Sequence, residues 1–470
     1  MANNVEQTID KTPGEIFIPR DTDKDRAVAI LDNIKSKFLY NASTKNVMVY
    51  NGIKWEIDVD AVTLNGEIER YADTFKDIDD KLAQITYKRL NNVNTRNNAI
   101  TMIKGKRTTI EENYDTNDNL INTNNCIVDI NTLNTINHDS SYLITKSANC
   151  SYNANINPKN SLFDKFINDI MCNNADDIKA LRCLLGYILT TDNKQVMPIL
   201  WGEGANGKSV LIGVLQNIFA DYSCTIDVKV LLDNSNNFDT GENANPQLIK
   251  IKGTKLVFVG ENKSKKRFDE QLIKTIVSGI EPISARRLRE NTIEFIPMCK
   301  LIMFTNKLPF FDSTDNGMSR RLIVYPFLRK FEEHEKDIQL IDKLLDDKDT
   351  IFSYLIECVK EYRKYGLYKS KNVIEATNKY NAENDIIQQF IDECCITGVE
   401  KVMVRPKPLY LAYKKWCDES GCIPLKKQNL LEQLKSKGYV IKPYNGYPCV
   451  RCLGLIDNGY DMATGKYEYK

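Results

Sequence analysis

Apolar positions along the chain change period several times. Val47 to Tyr50 and Lys54 to Ile57 are short apolar runs on either side of Asn51-Gly52, a pattern that predicts two strands joined by a tight turn. Ile121 to Ile130 and Tyr142 to Thr145 predict further strands, and Tyr71 to Leu90 has helical spacing. From residue 162 the period is helical: Leu162, Phe166, Ile167 and Ile170, then Leu181, Leu184, Leu185 and Ile188, predict two helices. Four strand candidates follow, at Val196 to Trp201, Lys255 to Val259, Lys300 to Thr305 and Leu322 to Tyr325. Helical stretches at Val210 to Phe219 and Gln271 to Ile280 separate them, so an α/β layer with a parallel sheet is expected. Residues 332 to about 395 are helical by period and contain no Pro.

Pro406 and Pro408 open a smaller unit. Leu409 to Cys417 is an amphipathic helix. A second helix after Pro424 places Leu430, Leu431 and Leu434 on one side and stops at Gly438. Tyr439 to Ile441, Asn445-Gly446 and Cys449 to Leu455 read as a β-hairpin. The expected organisation is an α/β protein in four parts. These are an N-terminal α+β domain without catalytic motif (1–160), an α/β core with its preceding helices (161–331), a helical segment (332–395) and a winged helix (396–470).

The chain has 470 residues, 42% hydrophobic and 27% charged, which excludes wholesale disorder. Lys and Arg number 64 against 63 Asp and Glu, so net charge alone says nothing of nucleic acid. Residues 396–470, however, hold 13 basic against 7 acidic residues, a surplus of six (13 − 7), which concentrates positive charge in the tail. Lys426, Lys427, Gln428 and Asn429 open its second helix, where a recognition helix presents side chains to the major groove of an origin duplex. A basic cap that packs on the α/β core or recruits a protein is the plainer alternative.

Only two His, His138 and His334, are present, which disfavours a His triad or a multi-His zinc site. The 13 Cys are scattered, the first ten residues are polar and acidic, and no apolar run approaches the roughly 20 residues of a membrane span. Cytoplasmic residence with reduced thiols is expected. Cys417, Cys422, Cys449 and Cys452 have a spacing that zinc could use. The apolar stripe of Leu409, Tyr413 and Trp416 beside Cys417 points instead to core packing.

Gly202-Glu203-Gly204-Ala205-Asn206-Gly207-Lys208-Ser209 fits G-x-x-x-x-G-K-[ST] between a strand and a helix. Its glycines let backbone N–H groups turn around a phosphate, Lys208 supplies charge to the β- and γ-phosphates, and the Ser209 hydroxyl is a ligand for Mg²⁺. The strand Leu256 to Val259 leads through Gly260 to Glu261, an acid placed to polarise water and a candidate Mg²⁺ ligand. Many ATPases carry two acids there; here Gly260 takes the first place. The strand Lys300 to Thr305 ends in Asn306, whose amide suits the γ-phosphate or the water. Arg320 and Arg321 precede the strand Leu322 to Tyr325 and are candidates for an arginine finger. Lys274 and the turn carrying Arg286, Arg287 and Arg289 suit contact with a DNA backbone. Asp58 and Asp60 form an acid-x-acid pair without a supporting motif and are expected to be a solvated turn.

The order of these motifs resembles superfamily 3 helicases of the branch shared by poxvirus primase-helicases and replication proteins of phages, plasmids and satellite islands. It is similar in particular to the Rep helicases of staphylococcal pathogenicity islands. The resemblance implies an AAA+ fold, a hexamer, and 3′→5′ movement on single-stranded DNA driven by ATP and Mg²⁺. It gives Glu261 the Walker B role, Asn306 that of sensor, one of Arg320 and Arg321 that of finger in trans, and the Arg286–Arg289 turn that of pore hairpin. A replication initiator of a mobile element in a bacterial host, working with host or element-encoded replication proteins, is thereby expected. An origin-melting protein without processive unwinding is the alternative within the class, and a small-molecule P-loop kinase the one outside it.

Overall fold

The computed structural model describes residues 22–233, 245–260, 267–286, 291–311, 316–420, 422, 424–456, 460, 461, 466 and 467. The chain forms two compact units, 1–154 and 155–470. Among the described residues no helix is long and apolar enough to cross a membrane.

The first unit opens with α1 (Asp23–Asn33) and the strands β1 (Lys37–Asn41), β2 (Asn46–Tyr50) and β3 (Trp55–Asp58). The helices α2 (Val62–Asp73), α3 (Lys81–Leu90) and α4 (Val93–Lys106) follow, then β4 (Thr108–Thr109). The sheet order is β3-β2-β1-β4, with β2 and β3 antiparallel about the Asn51-Gly52 turn. Ile30, Leu64, Ile68, Phe75, Leu90 and Ile103 join the helices to one face of it. The helical spacing of 71–90 resolves into two helices. The chain breaks after Asp73 and restarts at Asp80, whose carboxylate accepts from the N–H groups of Leu82 and Ala83. Asp58 is buried and does similar work, accepting from Thr63 N at 2.8 Å and Leu64 N at 2.9 Å at the start of α2. The expected solvated turn is therefore a buried cap.

A second, three-stranded sheet comprises β5 (Leu120–Asn122), β6 (Ile127–Asp129) and β7 (Thr135–Ile136). The strand expected at Tyr142 to Thr145 is absent. Leu143 takes a left-handed backbone (φ 50°), which interrupts an extended run.

The second unit starts with α5 (Leu162–Ile170) and α6 (Ala175–Tyr187), capped by Ser161 and Asn174. Then come β8 (Met197–Trp201), α7 (Lys208–Phe219), β9 (Ser223–Ile226), α8 (Pro246–Ile249) and β10 (Leu256–Val259). They are followed by α9 (Glu270–Ser278), the hairpin β11 (Ile283–Ala285) and β12 (Ile293–Phe295), β13 (Lys300–Thr305), α10 (Asn316–Ser319) and β14 (Leu322–Pro326). Five strands form one sheet in the order β14-β8-β13-β10-β9, every neighbouring pair parallel. Its strands read as continuous apolar runs because both faces are covered, with Met197, Ile199, Val257, Leu301, Met303 and Val324 fully buried.

The helical segment holds α11 (Leu340–Asp346), α12 (Lys348–Tyr365) and α13 (Lys371–Asn384). α12 crosses α6 so closely that a Cβ on Gly186 would stand 2.0 Å from the Cys358 carbonyl oxygen. α13 lies along the outer strand β14, where Val324 N donates to Thr377 Oγ1 at 3.0 Å. Tyr380 of α13 enters the sheet's core, and Asn384 Oδ1 accepts from Phe311 N at 3.0 Å.

The last part contains α14 (Ile386–Cys394), β15 (Cys395–Thr397), β16 (Met403–Val404), α15 (Pro406–Ser420) and α16 (Lys427–Ser436). It ends in the hairpin β17 (Ile441–Tyr444) and β18 (Tyr447–Arg451), then β19 (Leu453–Leu455). Phe390, Tyr413, Trp416, Leu430, Leu434 and Val450 share one core. α14 supplies Ile387, Phe390 and Ile391 to it, so the core reaches back beyond residue 396. Cys417 and Cys449 are buried, and among the described residues no group of three or more His, Cys, Asp or Glu is placed to hold a metal ion.

Candidate functional site

The Gly202–Ser209 loop leaves the C-terminal end of β8 and enters α7 at Lys208. Three separate constraints shape it. Gly204 and Gly207 adopt φ of 109° and 81°, a region that residues with a Cβ rarely enter. A Cβ on Gly207 would also meet Ile170 Cγ2 at 2.4 Å, because α5 presses on the loop. At Gly202 a Cβ would lie 2.3 Å from Asn206 Nδ2 and 2.6 Å from the Phe327 carbonyl oxygen. The segment that follows β14 brackets the loop from the other side: Phe327 N donates to Trp201 O at 2.7 Å and Phe331 N to Ala205 O at 2.8 Å.

Lys208 is buried, yet its ammonium is surrounded by oxygens. Nζ donates to Gly202 O at 2.7 Å, Asn206 Oδ1 at 3.0 Å and Asn306 Oδ1 at 3.1 Å. Asn206 is 4% exposed, and its Nδ2 has no hydrogen-bond partner among the described residues. An orphaned donor on Asn206, the buried Lys208 cation and the first N–H groups of α7 lie together where the loop enters the helix. That is the donor set a polyanionic phosphate group satisfies, so these residues fit a nucleotide. Ser209 and Glu203 are exposed beside it, and the Ser209 hydroxyl at the helix start would be a ligand for a divalent cation.

Strand order explains why Asn306 reaches Lys208. β13 lies between β8 and β10, and Thr305 pairs with Trp201. The ends of β8, β13 and β10 therefore stand side by side at one edge, with Gly202, Asn306 and Gly260 following them. Glu261, next after Gly260, lies outside the described residues.

Arg320 and Arg321 are at the opposite edge. Arg321 O accepts from Met197 N at 2.8 Å, so it sits where β8 begins, not where it ends. The five residues of β14 span about 16 Å at ~3.3 Å each, farther than an arginine side chain extends. Neither Arg can serve the loop of its own chain. Arg321 Nη1 donates to Gly317 O within the same turn, whereas Arg320 is exposed.

Of the residues expected to touch DNA, Lys274 is half-buried in an ion pair with Glu270, 3.3 Å away and one turn earlier on α9. Arg286 follows β11 and is half-buried; Arg287 and Arg289 lie outside the described residues. In the last part of the chain Lys426, Lys427, Gln428 and Asn429 are all exposed at the start of α16. Lys427 and Gln428 line a groove of about 510 Å³ between α16, the start of α15 and the β17–β18 hairpin; Lys426 and Asn429 do not. Arg405, Lys407, Lys427 and Lys435 face it against one acid, Glu432. Sequence reasoning missed Arg405 and Lys407, since they belong to α15 and its lead-in and meet α16 only through the fold.

Residues 27–172 match the family model D5 N terminal like, and residues 200–321 match a family of unknown function, DUF5906. The chain is thus similar to replication helicases and primases of viruses. One relative is the "Putative helicase L207/L206" of Acanthamoeba polyphaga mimivirus, 30% identical over half of this chain and 25% of its own length. Another is the "Putative helicase 121R" of Invertebrate iridescent virus 3, 25% identical over 52% of this chain and 29% of its own. The "Putative primase C962R" of African swine fever virus (strain Badajoz 1971 Vero-adapted) is 23% identical over 65% of this chain and 34% of its own. The aligned part therefore spans between a quarter and a third of these relatives. Among solved structures, the apo C-terminal region of NrS-1 aligns over 92% of this chain and 98% of that one, at 15% identity and a TM-score of 0.46. These relatives are viral, which agrees with the poxvirus side of the branch that the motif order resembles and does not extend to the staphylococcal-island Rep helicases.

Proposed function

We propose that the chain is an ATP-driven DNA helicase of superfamily 3 that works as a ring and engages the duplex through its C-terminal part. The observation that carries this reading is the split of the polar groups between the two edges of the sheet. Lys208, Asn206 and Asn306 gather at one edge, and Arg320 is exposed at the other. A site divided in this way is completed when the far edge of one protomer meets the loop of the next, as AAA+ rings require. The strand order, with the Asn306 strand between the loop strand and the acid strand, supports the same reading.

In this scheme ATP with Mg²⁺ supplies the scissile phosphoanhydride and a divalent charge. Lys208 leaves its three oxygen partners to neutralise phosphate charge, and Asn206 Nδ2 finds an acceptor there. Ser209 would hold the metal, Glu261 would take the proton of the attacking water, and Asn306 would hold the γ-phosphate or that water. Arg320 of a neighbouring protomer offsets the charge that builds up in the transition state. The basic hairpin β11–β12 and the surface around α16 supply phosphate contacts that depend on salt rather than sequence. The narrower likeness to staphylococcal-island Rep helicases, and an origin-binding role for Lys426, Lys427, Gln428 and Asn429, rest on the motif order and on the tail's charge.

The deciding experiment measures ATP hydrolysis by the full chain with and without single-stranded DNA, together with strand displacement on a forked substrate. Stimulation by DNA and displacement are expected, both lost in Lys208→Ala. Hydrolysis indifferent to DNA, with phosphate passed to a small molecule, would replace the helicase reading by that of a kinase.

A further inference from the structure

The β17–β18 hairpin ends in an unusual tip. Its register pairs Pro443 with Pro448 and Tyr444 with Tyr447, closed by Asn445 (φ 47°) and Gly446 (φ 78°). Two positive φ values in a two-residue connection match the twist of the strands and fix the turn. The opposed prolines contribute no N–H to the ladder but lock their own φ, so the tip is stiff without being able to pair with another strand. Both tyrosines are exposed, Tyr444 to 45% and Tyr447 to 53%. Large aromatic rings directly opposite each other at a hairpin tip are costly to leave in water.

Each ring is also braced. The Arg405 guanidinium stands 4.0 Å from the centre of the Tyr447 ring, and that of Arg451 stands 5.1 Å from Tyr444. A cation held over a ring fixes its orientation and leaves the remainder of the ring open. Arg405 and Tyr447 both line the groove that carries Lys407, Lys427, Gln428 and Lys435. Phosphate-binding charge and open aromatic surface thus meet in one concavity. Within a duplex, base faces are covered by neighbouring bases. They become available only where strands part or end. Basic residues alone suit any duplex, but rigid exposed rings beside them suit a base face next to a duplex backbone.

We infer that the hairpin tip recognises the junction between double- and single-stranded DNA. The groove holds the duplex backbone while Tyr447, with Tyr444 beside it, stacks on the base uncovered at the fork. This inference rests on the DNA-binding reading above and adds the part of the substrate that is read.

The test uses the full chain without nucleotide. Affinity is measured by fluorescence anisotropy for a blunt duplex, a single strand, and the duplex carrying one unpaired tail. 2-Aminopurine at the first unpaired position reports stacking. The wild type is expected to prefer the tailed duplex over the blunt one by about tenfold, a modest return for one stacked base, and to quench the 2-aminopurine. Tyr444→Leu/Tyr447→Leu should lose that preference and the quenching, while affinity for the blunt duplex, held by its backbone in the groove, changes little. Tyr444→Phe/Tyr447→Phe should retain both, since stacking needs the ring and not the hydroxyl. If the Leu variant binds the tailed duplex as the wild type does, or only the hydroxyls matter, the junction role is overturned while the helicase reading stands. If the wild type binds none of the three DNAs, the DNA-binding reading falls with it.

Discussion

Lys208 and Asn306 are 98 residues apart in sequence, yet Lys208 Nζ donates to Asn306 Oδ1 at 3.1 Å. The contact joins the loop that would hold phosphates to the strand end that would sense them. A nucleotide that drew the ammonium away would break this bond and so link phosphate arrival to the end of β13. Asn306→Ala is expected to keep nucleotide affinity within a few-fold while turnover falls by about 10²-fold, the usual loss for one aligned polar group in a transition state. Equilibrium binding of a fluorescent ATP analogue and steady-state hydrolysis, measured side by side, check this. A fall in affinity with turnover at saturating ATP retained would assign Asn306 to ground-state binding.

The two neighbouring arginines should behave differently. Arg320→Ala is expected to lower hydrolysis by about 10³-fold, as loss of a finger does, with thermal stability unchanged. Arg321→Ala removes the bond to Gly317 O and should act mainly on stability, by about 1 kcal/mol. Mixing Arg320→Ala with Glu261→Gln subunits should restore part of the activity. In a mixed ring, an intact Glu261 site can face an intact Arg320. Failure to recover any activity over the two separate variants would argue against a shared site.

Lys300 opens β13 with its ammonium donated to the Asp192 carbonyl oxygen and 4.4 Å from the centre of the Tyr187 ring. Burial pulls its pKa down to about 8, partly countered by the Asp192 carboxylate. The folded chain therefore binds fewer protons than the unfolded one between pH 8 and the ordinary lysine value of about 10.4. Below pH 8 the buried charge is a full penalty, and stability recovers as pH rises through that window. Relative to Lys300→Met, the wild type should gain about 1–2 kcal/mol between pH 7.5 and pH 10. Urea denaturation of both proteins at the two pH values measures this, and the difference removes the titration of buried Tyr and Cys common to both.

A chain ending at Asp385 should keep ATP hydrolysis, because α13 with Tyr380 and Asn384 still closes the sheet's core. It should lose most duplex affinity. A chain ending at Asp392 retains most of α14 but not its core partners, exposing Ile387, Phe390 and Ile391, and is expected to aggregate. Size-exclusion chromatography of the two truncations separates the cases.

Much of the second unit was legible because its parallel strands are apolar throughout and its loop has fixed glycines. Two helices before β8, the strand ends at Asn306 and Gly260, and the Asn445-Gly446 hairpin all follow from local pattern. What the pattern could not carry is direction in space. Arg320 and Asn306 both flank strands, but only strand polarity shows that they lie at opposite edges. Lys274 looks like a free cation in sequence, and Glu270 one turn away takes it up. The boundary at 396 followed a shift in charge, whereas the core of the last part is set by Phe390 and Ile391, which sit in an unremarkable helical run. At Tyr142 to Thr145 the composition suits a strand, and only the left-handed Leu143 reveals that the chain turns instead.

The bond from Val324 N to Thr377 Oγ1 bears on assembly. An outer strand in a parallel sheet normally exposes a row of main-chain donors and acceptors on which a further strand can grow. Here α13 lies over that row and one of its hydroxyls takes up a donor. Subunits that meet on this side can do so through side chains alone, never by extending the sheet from one chain into the next. In the proposed ring, a junction on this side would slip and re-form without breaking main-chain hydrogen bonds, which would keep each sheet mechanically independent of its neighbour.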